Sequence, residues 1–250
     1  MKLRSSMIND FDICPARYEA IWVNEVANPP GSAATTGTNF HKWATVFFDV
    51  IERSVLDELH LREDIESYLV ERSIKEDWDE DLLHNCKNFV EFEADHLLRL
   101  RNVMDDADEV WKYFVPYKRE INFETERVMG TIDRVDHLRD GTLMIMDYKT
   151  GRPNNTVHRR QVTWYAHNAN RIDLFDGLTV SRGSILWTRE PRFWAFDFSS
   201  RTLSAINRRI IAMNKCKKDK YYPYKPSGLC PYCPIFQECP AIVDWGKYGI

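Results

Sequence analysis

The sequence predicts an α/β fold in which helices flank a central mixed sheet. Residues 117–149 carry strand-like alternation and an apolar run interrupted by a turn signal, a pattern typical of a strand leading into a β-hairpin. A helical pattern at 157–170 follows the hairpin and precedes two more predicted strands, at 178–187 and 192–198. With 250 residues and a hydrophobic content of 44%, the chain is long enough for one domain with a helical insertion.

The elements before the sheet are predicted to be helical. Residues 3–27 favour a short helix, and the Pro, Gly, Ser and Thr residues of 29–37 predict a loop. A helix is expected from about Thr38, because aromatic side chains recur there at helical spacing, namely Phe40, Trp43, Phe47 and Phe48. Residues 52–112 predict acidic amphipathic helices that pack over the core and carry no chemistry of their own.

After the last strand we expect a helix at about 201–213, capped by Ser200, and a basic, Tyr-rich tail at 215–225. We therefore divide one domain, 1–250, into a helical region at 28–112, a sheet core at 113–200 and a cysteine-bearing region formed by 1–27 with 214–250.

Composition limits the classes of protein that the chain can represent. It has no apolar run long enough to span a bilayer, and residues 1–6 are not followed by the apolar stretch of a signal peptide, so we expect a cytoplasmic protein without a membrane partner. Between Asp57 and Glu109 there are eighteen acidic and six basic residues, whereas the whole chain has a net charge of only −4. The rest of the chain is therefore positive, and we expect any phosphate-binding surface to lie there.

The hairpin places charged side chains on one face. If its loop centres on Asp140, then Asp133 and Asp147 lie directly opposite each other, with Cβ atoms about 4.5–5.5 Å apart. Lys149 follows Asp147 by two residues and therefore points the same way. Two carboxylates at that separation can share a hard cation such as Mg²⁺.

The cysteines indicate a second metal site. Cys230, Cys233 and Cys239 form a C-x-x-C-x5-C-P pattern, which supplies three thiolate ligands and needs a fourth. Cys14, which also precedes a proline, is the candidate, and Cys216 is a weaker rival. Spacing alone leaves both zinc and an iron–sulfur cluster open.

The hairpin resembles the active site of the PD-(D/E)XK nucleases, and in particular the RecB/AddB/Cas4-like iron–sulfur branch. The matching residues are Gly130-Thr-Ile-Asp133-Arg-Val-Asp136 and Asp147-Tyr148-Lys149-Thr150-Gly151. The resemblance implies a restriction-endonuclease-like sheet and a Mg²⁺- or Mn²⁺-dependent phosphodiesterase. It implies that the metal is held by His41 (in Gly37-x-x-x-His41), Asp133, Asp147 and the Tyr148 carbonyl.

The same resemblance implies roles for further residues. It implies that Lys149 is the catalytic lysine, and that Gln161 and Tyr165 form a Q-x-x-x-Y pattern that contacts the nucleic-acid backbone and steadies Lys149. A [4Fe–4S] cluster held by Cys14, Cys230, Cys233 and Cys239 joins the two ends of the chain. Glu120 could orient Lys149 or lie near the metal, although a strand glutamate is usually solvated.

The expected activity is that of an exonuclease on single-stranded DNA or duplex ends, in recombination, repair or CRISPR-type DNA processing. The sequence has no P-loop, so unwinding would need a helicase partner. The alternative is a catalytically silent DNA-binding or adaptor protein on the same scaffold, with zinc in place of the cluster.

Overall fold

The computed structural model describes residues 2–28, 32–75 and 77–242. The chain forms two compact units. The larger comprises Pro30–Phe123 and Gly130–Phe198, and the smaller comprises Met1–Pro29, Glu124–Met129 and Ser199–Ile250. Among the described helices, none combines the length and the apolar character that a bilayer crossing requires.

A five-stranded sheet forms the middle of the larger unit. Its strands are β1 (Lys118–Glu124), β2 (Met129–His137), β3 (Leu143–Lys149), β4 (Val180–Trp187) and β5 (Arg192–Asp197). They lie in the order of the sequence. The β2–β3 and β4–β5 pairs are antiparallel, whereas β3 and β4 are parallel. The predicted mixed α/β sheet is therefore confirmed.

One face of this sheet is covered by helices from the first half of the chain. They are α3 (Ser32–Phe47), α4 (Val55–Glu58), α5 (Arg62–Ser73), α6 (Glu80–Val103) and α7 (Ala107–Phe114). Their apolar side chains form one core with Met146, Tyr148 and Leu186 of the sheet. The ring of Phe89 lies 5.4 Å from that of Tyr148 and 5.0 Å from that of Phe47, edge to face. Cys86 is fully buried in this core, as the sequence predicted for a cysteine without sequence neighbours.

The acidic helices pack over the core, as predicted, and they also contribute a buried ion pair to it. Glu93 of α6 is fully buried and bonds Arg134 of β2, which is also fully buried. Arg134 Nε donates to Asp136 Oδ1 at 2.7 Å. A charge buried in the core requires such partners, because isolated ions are expensive to remove from water.

Helix α8 (Asn155–Arg171) connects β3 to β4 and packs on the opposite face of the sheet. Its approach to β4 is close, because a Cβ on Gly183 would lie 2.6 Å from Val162 Cγ1 and 2.9 Å from the Phe196 ring. Alternation along the strands places Asp147, Lys149 and Trp187 on this same face.

The smaller unit contains the helices near both ends of the chain. They are α1 (Ser5–Ile13), α2 (Pro15–Tyr18), a π-helical segment (Glu19–Val23) and α9 (Ser200–Asp219). Helix α1 packs against α9, and Arg209 Nε lies 2.6 Å from Asp12 Oδ1. Leu3 forms a parallel bridge with Val128.

The predicted start of one helix, and the predicted cap and end of another, were wrong. Helix α3 begins at Ser32 instead of Thr38, so Gly37 lies inside it and not in a loop. Gly37 allows a close approach there, since a Cβ would lie 3.2 Å from Thr150 Oγ1. Helix α9 is capped by Ser199, whose side chain accepts from Thr202 N, and not by Ser200. It also runs to Asp219, so the first part of the predicted basic tail is helical.

The contact at Gly183 gives a testable consequence. Gly183→Ala forces a methyl group into stiff neighbours, so we expect the free energy of unfolding to fall by about 1–3 kcal/mol. Thermal unfolding measures this change, with Gly151→Ala as the control because a Cβ at Gly151 meets nothing within 4 Å. Equal melting temperatures for the two variants would contradict this close packing of α8 on β4.

Candidate active site

The hairpin has the register that the sequence predicted. Arg134 pairs with Met146 and His137 with Leu143, so the hairpin centres on Asp140 and Asp133 faces Asp147. Asp140 Oδ1 fixes the turn by accepting hydrogen bonds from the amide and the hydroxyl of Thr142, at 2.9 and 2.6 Å. The two acids are thus brought together by turn chemistry and strand pairing alone.

Each of these acids has a defined partner. Asp133 Oδ2 accepts a hydrogen bond from Tyr148 N at 2.8 Å, so the carboxylate is tied to the neighbouring strand. Asp147 is 2% exposed, and its Oδ2 lies 2.6 Å from Lys149 Nζ. Lys149 therefore points toward the acids, as the alternation of β3 requires.

His41 of α3 reaches the same place. Its Nδ1 lies 3.4 Å from Asp133 Oδ1 and 3.8 Å from Glu120 Oε1. One ligand atom from each of His41, Glu120 and Asp133 lies within 4.8 Å of the others. We call these three residues the His–Glu–Asp cluster. It lies in an open pocket that Gly37 and Thr131 also line.

Asp147 is not part of the His–Glu–Asp cluster, and its Oδ2 lies 2.6 Å from Lys149 Nζ. Its role as a metal ligand, and that of the Tyr148 carbonyl, stay predictions. Glu120, which sequence reasoning ranked low, lies in the cluster. No pattern in the sequence marks it, because a glutamate in a polar strand is ordinarily solvated.

The backbone at Glu120 is unusual for a strand. Its φ is +46°, in the left-handed region that residues with a Cβ rarely adopt. Such conformations cost on the order of 1–3 kcal/mol and concentrate at functional sites. The strained residue of β1 is thus the one whose carboxylate joins the cluster.

The electrostatics show an excess of negative charge. Burial raises the pKa of Asp147 to about 6, with Asp133 adding to the effect and Lys149 opposing it. Burial and the charge of Asp133 also raise the pKa of Glu120. Burial alone would lower the pKa of His41, but Asp133 and Asp147 outweigh it and raise the pKa. A divalent cation would relieve this repulsion, so the residues present fit such an ion.

Lys149 remains charged in this setting. Burial opposes its ammonium, but Asp147 and Asp133 outweigh burial and raise the pKa of Lys149. It can therefore place a positive charge beside the cluster.

Helix α8 brings its two predicted residues to the lysine. Gln161 Nε2 donates to the Tyr165 hydroxyl at 2.9 Å, and Tyr165 interacts electrostatically with Lys149. Gly130 makes this approach possible, because a Cβ there would lie 2.9 Å from Phe123 and 3.0 Å from Tyr165. Gly130 is thus needed in the hairpin because any side chain there would clash with Phe123 and Tyr165.

In the smaller unit, the four predicted cysteines line one largely apolar cavity. They are Cys14, Cys230, Cys233 and Cys239, whereas Cys216 does not line it. Backbone amides donate to two of the sulfurs, from Lys225 to Cys14 at 3.3 Å and from Ser227 to Cys230 at 3.1 Å. Within the described residues, no three of these sulfurs lie within 4.8 Å of one another.

Comparisons with known proteins support the resemblance at the level of the superfamily. A family model described as the PD-(D/E)XK nuclease superfamily matches residues 5–240. No curated protein matches the chain. A solved structure described as the crystal structure of SSO0001 covers 83% of this chain and 97% of its own, with 12% sequence identity and a TM-score of 0.32.

The His–Glu–Asp cluster predicts which side chains bind a metal. Glu120→Gln keeps the shape of the side chain and removes its charge, so we expect affinity for Mn²⁺ to fall by about tenfold to a hundredfold. Calorimetric titration with manganese chloride measures the affinity. Glu126→Gln, at an exposed glutamate, is the matched control. Identical affinities for wild type and Glu120→Gln would remove Glu120 from the site.

Proposed function

The chain belongs to the PD-(D/E)XK nuclease superfamily, and on that premise we propose that it is a metal-dependent deoxyribonuclease. The observation that carries the proposal is the His–Glu–Asp cluster, which lies beside Asp147 and Lys149 of the β2–β3 hairpin. A module that only binds DNA has no use for carboxylates that would face phosphates, so this arrangement favours catalysis over a silent adaptor.

The proposed ligands are His41, Glu120, Asp133 and Asp147, together with the Tyr148 carbonyl. They would hold Mg²⁺ or Mn²⁺, which supplies Lewis-acid polarisation of the scissile phosphate and lowers the pKa of a bound water. Asp133 is the shared member, since it faces His41 and Glu120 on one side and Asp147 across the hairpin.

Lys149 supplies the positive charge for the reaction. Its ammonium is charged beside Asp147, which favours a role in orienting the water and offsetting negative charge on the attacked phosphate. A cation bound by Asp147 would compete with Lys149 for this carboxylate, and the ammonium would then be available to the substrate phosphate. Gln161 and Tyr165 hold the neighbouring surface of α8 in place for the nucleic-acid backbone.

We propose an exonuclease on single-stranded DNA or duplex ends as the finer assignment. The acidic helices lie on the sheet face opposite α8, which leaves the α8 face for phosphates. Such an activity suits recombination, repair or CRISPR-type DNA processing in the cytoplasm, with a partner helicase where unwinding is needed.

The proposed cofactor of the smaller unit is a [4Fe–4S] cluster held by Cys14, Cys230, Cys233 and Cys239. What supports it is that all four cysteines line one largely apolar cavity, which would enclose such a group. Its role would be structural, joining α2 to the carboxy-terminal cysteines, a connection that Arg17 already makes by donating to Tyr232 O at 3.0 Å.

The role of Lys149 is tested by Lys149→Ala. We expect cleavage to fall by about 10²–10³-fold or more, because a preorganised charge is lost, while binding of DNA changes little. End-labelled single- and double-stranded DNA incubated with manganese and followed over time gives the rate and distinguishes exonuclease from endonuclease products. Lys87→Ala, at an exposed lysine of α6, is the matched control. Undiminished metal-dependent hydrolysis by Lys149→Ala would refute the assignment.

The identity of the second group is tested by anaerobic purification. We expect a brown protein that absorbs near 400 nm (roughly, for a cluster of this type) and contains iron and sulfide. Cys14→Ala should lose the colour, whereas Cys216→Ala should keep it because Cys216 does not line the cavity. A colourless protein with one zinc ion would contradict the cluster.

A further inference from the structure

His158 is a histidine of the candidate site to which the proposed mechanism gives no role. It lies near the start of α8, whose cap is Asn154. On the helix it precedes Gln161 by three residues and Tyr165 by seven, so the three share one face. This face of α8 packs against the end of β3 that carries Lys149.

The hydrogen-bond partner of His158 fixes its tautomer. Trp187 Nε1 lies 3.0 Å from His158 Nδ1. An indole nitrogen only donates, so Nδ1 must accept, and the hydrogen of the neutral imidazole must be on Nε2. Among the described residues, no protein group accepts a hydrogen bond from Nε2, and the side chain is only half-buried.

Trp187 is a rigid anchor for this arrangement. It is fully buried, and it pairs with Lys149 in the parallel register of β3 and β4. The next residue, Thr188, donates its amide to Lys149 O at 2.9 Å. The imidazole is therefore held at a fixed place beside the catalytic lysine.

The imidazole is also kept neutral. Burial lowers the pKa of His158 to about 4, and the nearby Lys149 ammonium adds to the effect. A histidine in this state cannot exchange protons with a substrate near neutral pH. It can only donate the hydrogen on Nε2.

We propose that His158 is a substrate-binding residue whose Nε2–H donates a hydrogen bond to a non-bridging oxygen of a DNA backbone phosphate next to the scissile one. The inference rests on the proposed nuclease function. It assigns a specific contact on the α8 face, where a neutral donor recognises a phosphodiester by direction and not by net charge.

Two variants separate the donor from the packing. His158→Gln keeps an amide that can donate outward while its carbonyl accepts from Trp187. His158→Leu removes both functions. We expect the Kd for a fluorescein-labelled single-stranded oligonucleotide in calcium to rise about tenfold in His158→Leu and to return to within a few-fold of wild type in His158→Gln. His167→Leu, at an exposed histidine of the same helix, is the control.

Salt dependence and kinetics identify the kind of contact. A neutral donor releases no counterion, so the slope of log Kd against log salt should be unchanged in His158→Leu, whereas loss of a lysine or arginine contact would change it by about 0.7–1. In manganese we expect KM to rise about tenfold with kcat nearly unchanged, because the phosphate contacted is not the one attacked.

The double variant His158→Leu/Trp187→Phe guards against a purely structural role, since it also removes the donor that His158→Leu leaves without a partner. Restored thermal stability with binding still weakened about tenfold supports the contact. Restored binding in the double variant, or wild-type binding in His158→Leu, overturns it while leaving the nuclease function intact. A wild-type protein that neither binds nor cleaves DNA refutes the proposed function and, with it, this contact.

Discussion

The structure depends on holding mutually repelling acids beside one another on a single hairpin. Asp133 and Asp147 face each other across β2 and β3, and Glu120 adds a third carboxylate from β1. Lys149 and His41 oppose this negative charge, but burial and the charge of Asp133 still raise the pKa of Asp147. The helices that pack on both faces of the sheet hold these strands, and therefore these acids, in place.

A second ionic layer lies on the opposite face of the same hairpin. Arg134 bonds Glu93 of α6 and Asp136 of its own strand, and both its charge and that of Glu93 are fully buried. Apolar groups of similar volume could fill this space with equal stability, so a buried pair is weak evidence for stability as such. Its directional bonds do fix α6 against β2. Helix α6, one of the acidic helices, is thereby tied to the strand that carries Asp133.

Much of the hairpin could be predicted from the sequence, because its register follows from local rules. Asp140-Gly141 sets the turn, a period of two sets the faces, and the opposition of Asp133 and Asp147 follows. Glu120 could not be predicted, since its position depends on a left-handed backbone that no glycine or asparagine announces. The role of His158 could not be predicted either, because its tautomer is set by Trp187, a partner distant in sequence. Prolines and spacing mark Cys14 and the other three cysteines as a set in the sequence, and the four line one cavity, while their role as ligands stays a prediction.

The central place of β3 in the sheet has a consequence for how the candidate site would be lost on unfolding. Its backbone is hydrogen-bonded to β2 on one edge and to β4 on the other, so the segment bearing Asp147 and Lys149 cannot open alone. Amide protons of this strand should exchange with solvent only when the whole larger unit unfolds. Mild destabilisation would then lower the fraction of folded molecules and leave the candidate site of each folded molecule unchanged.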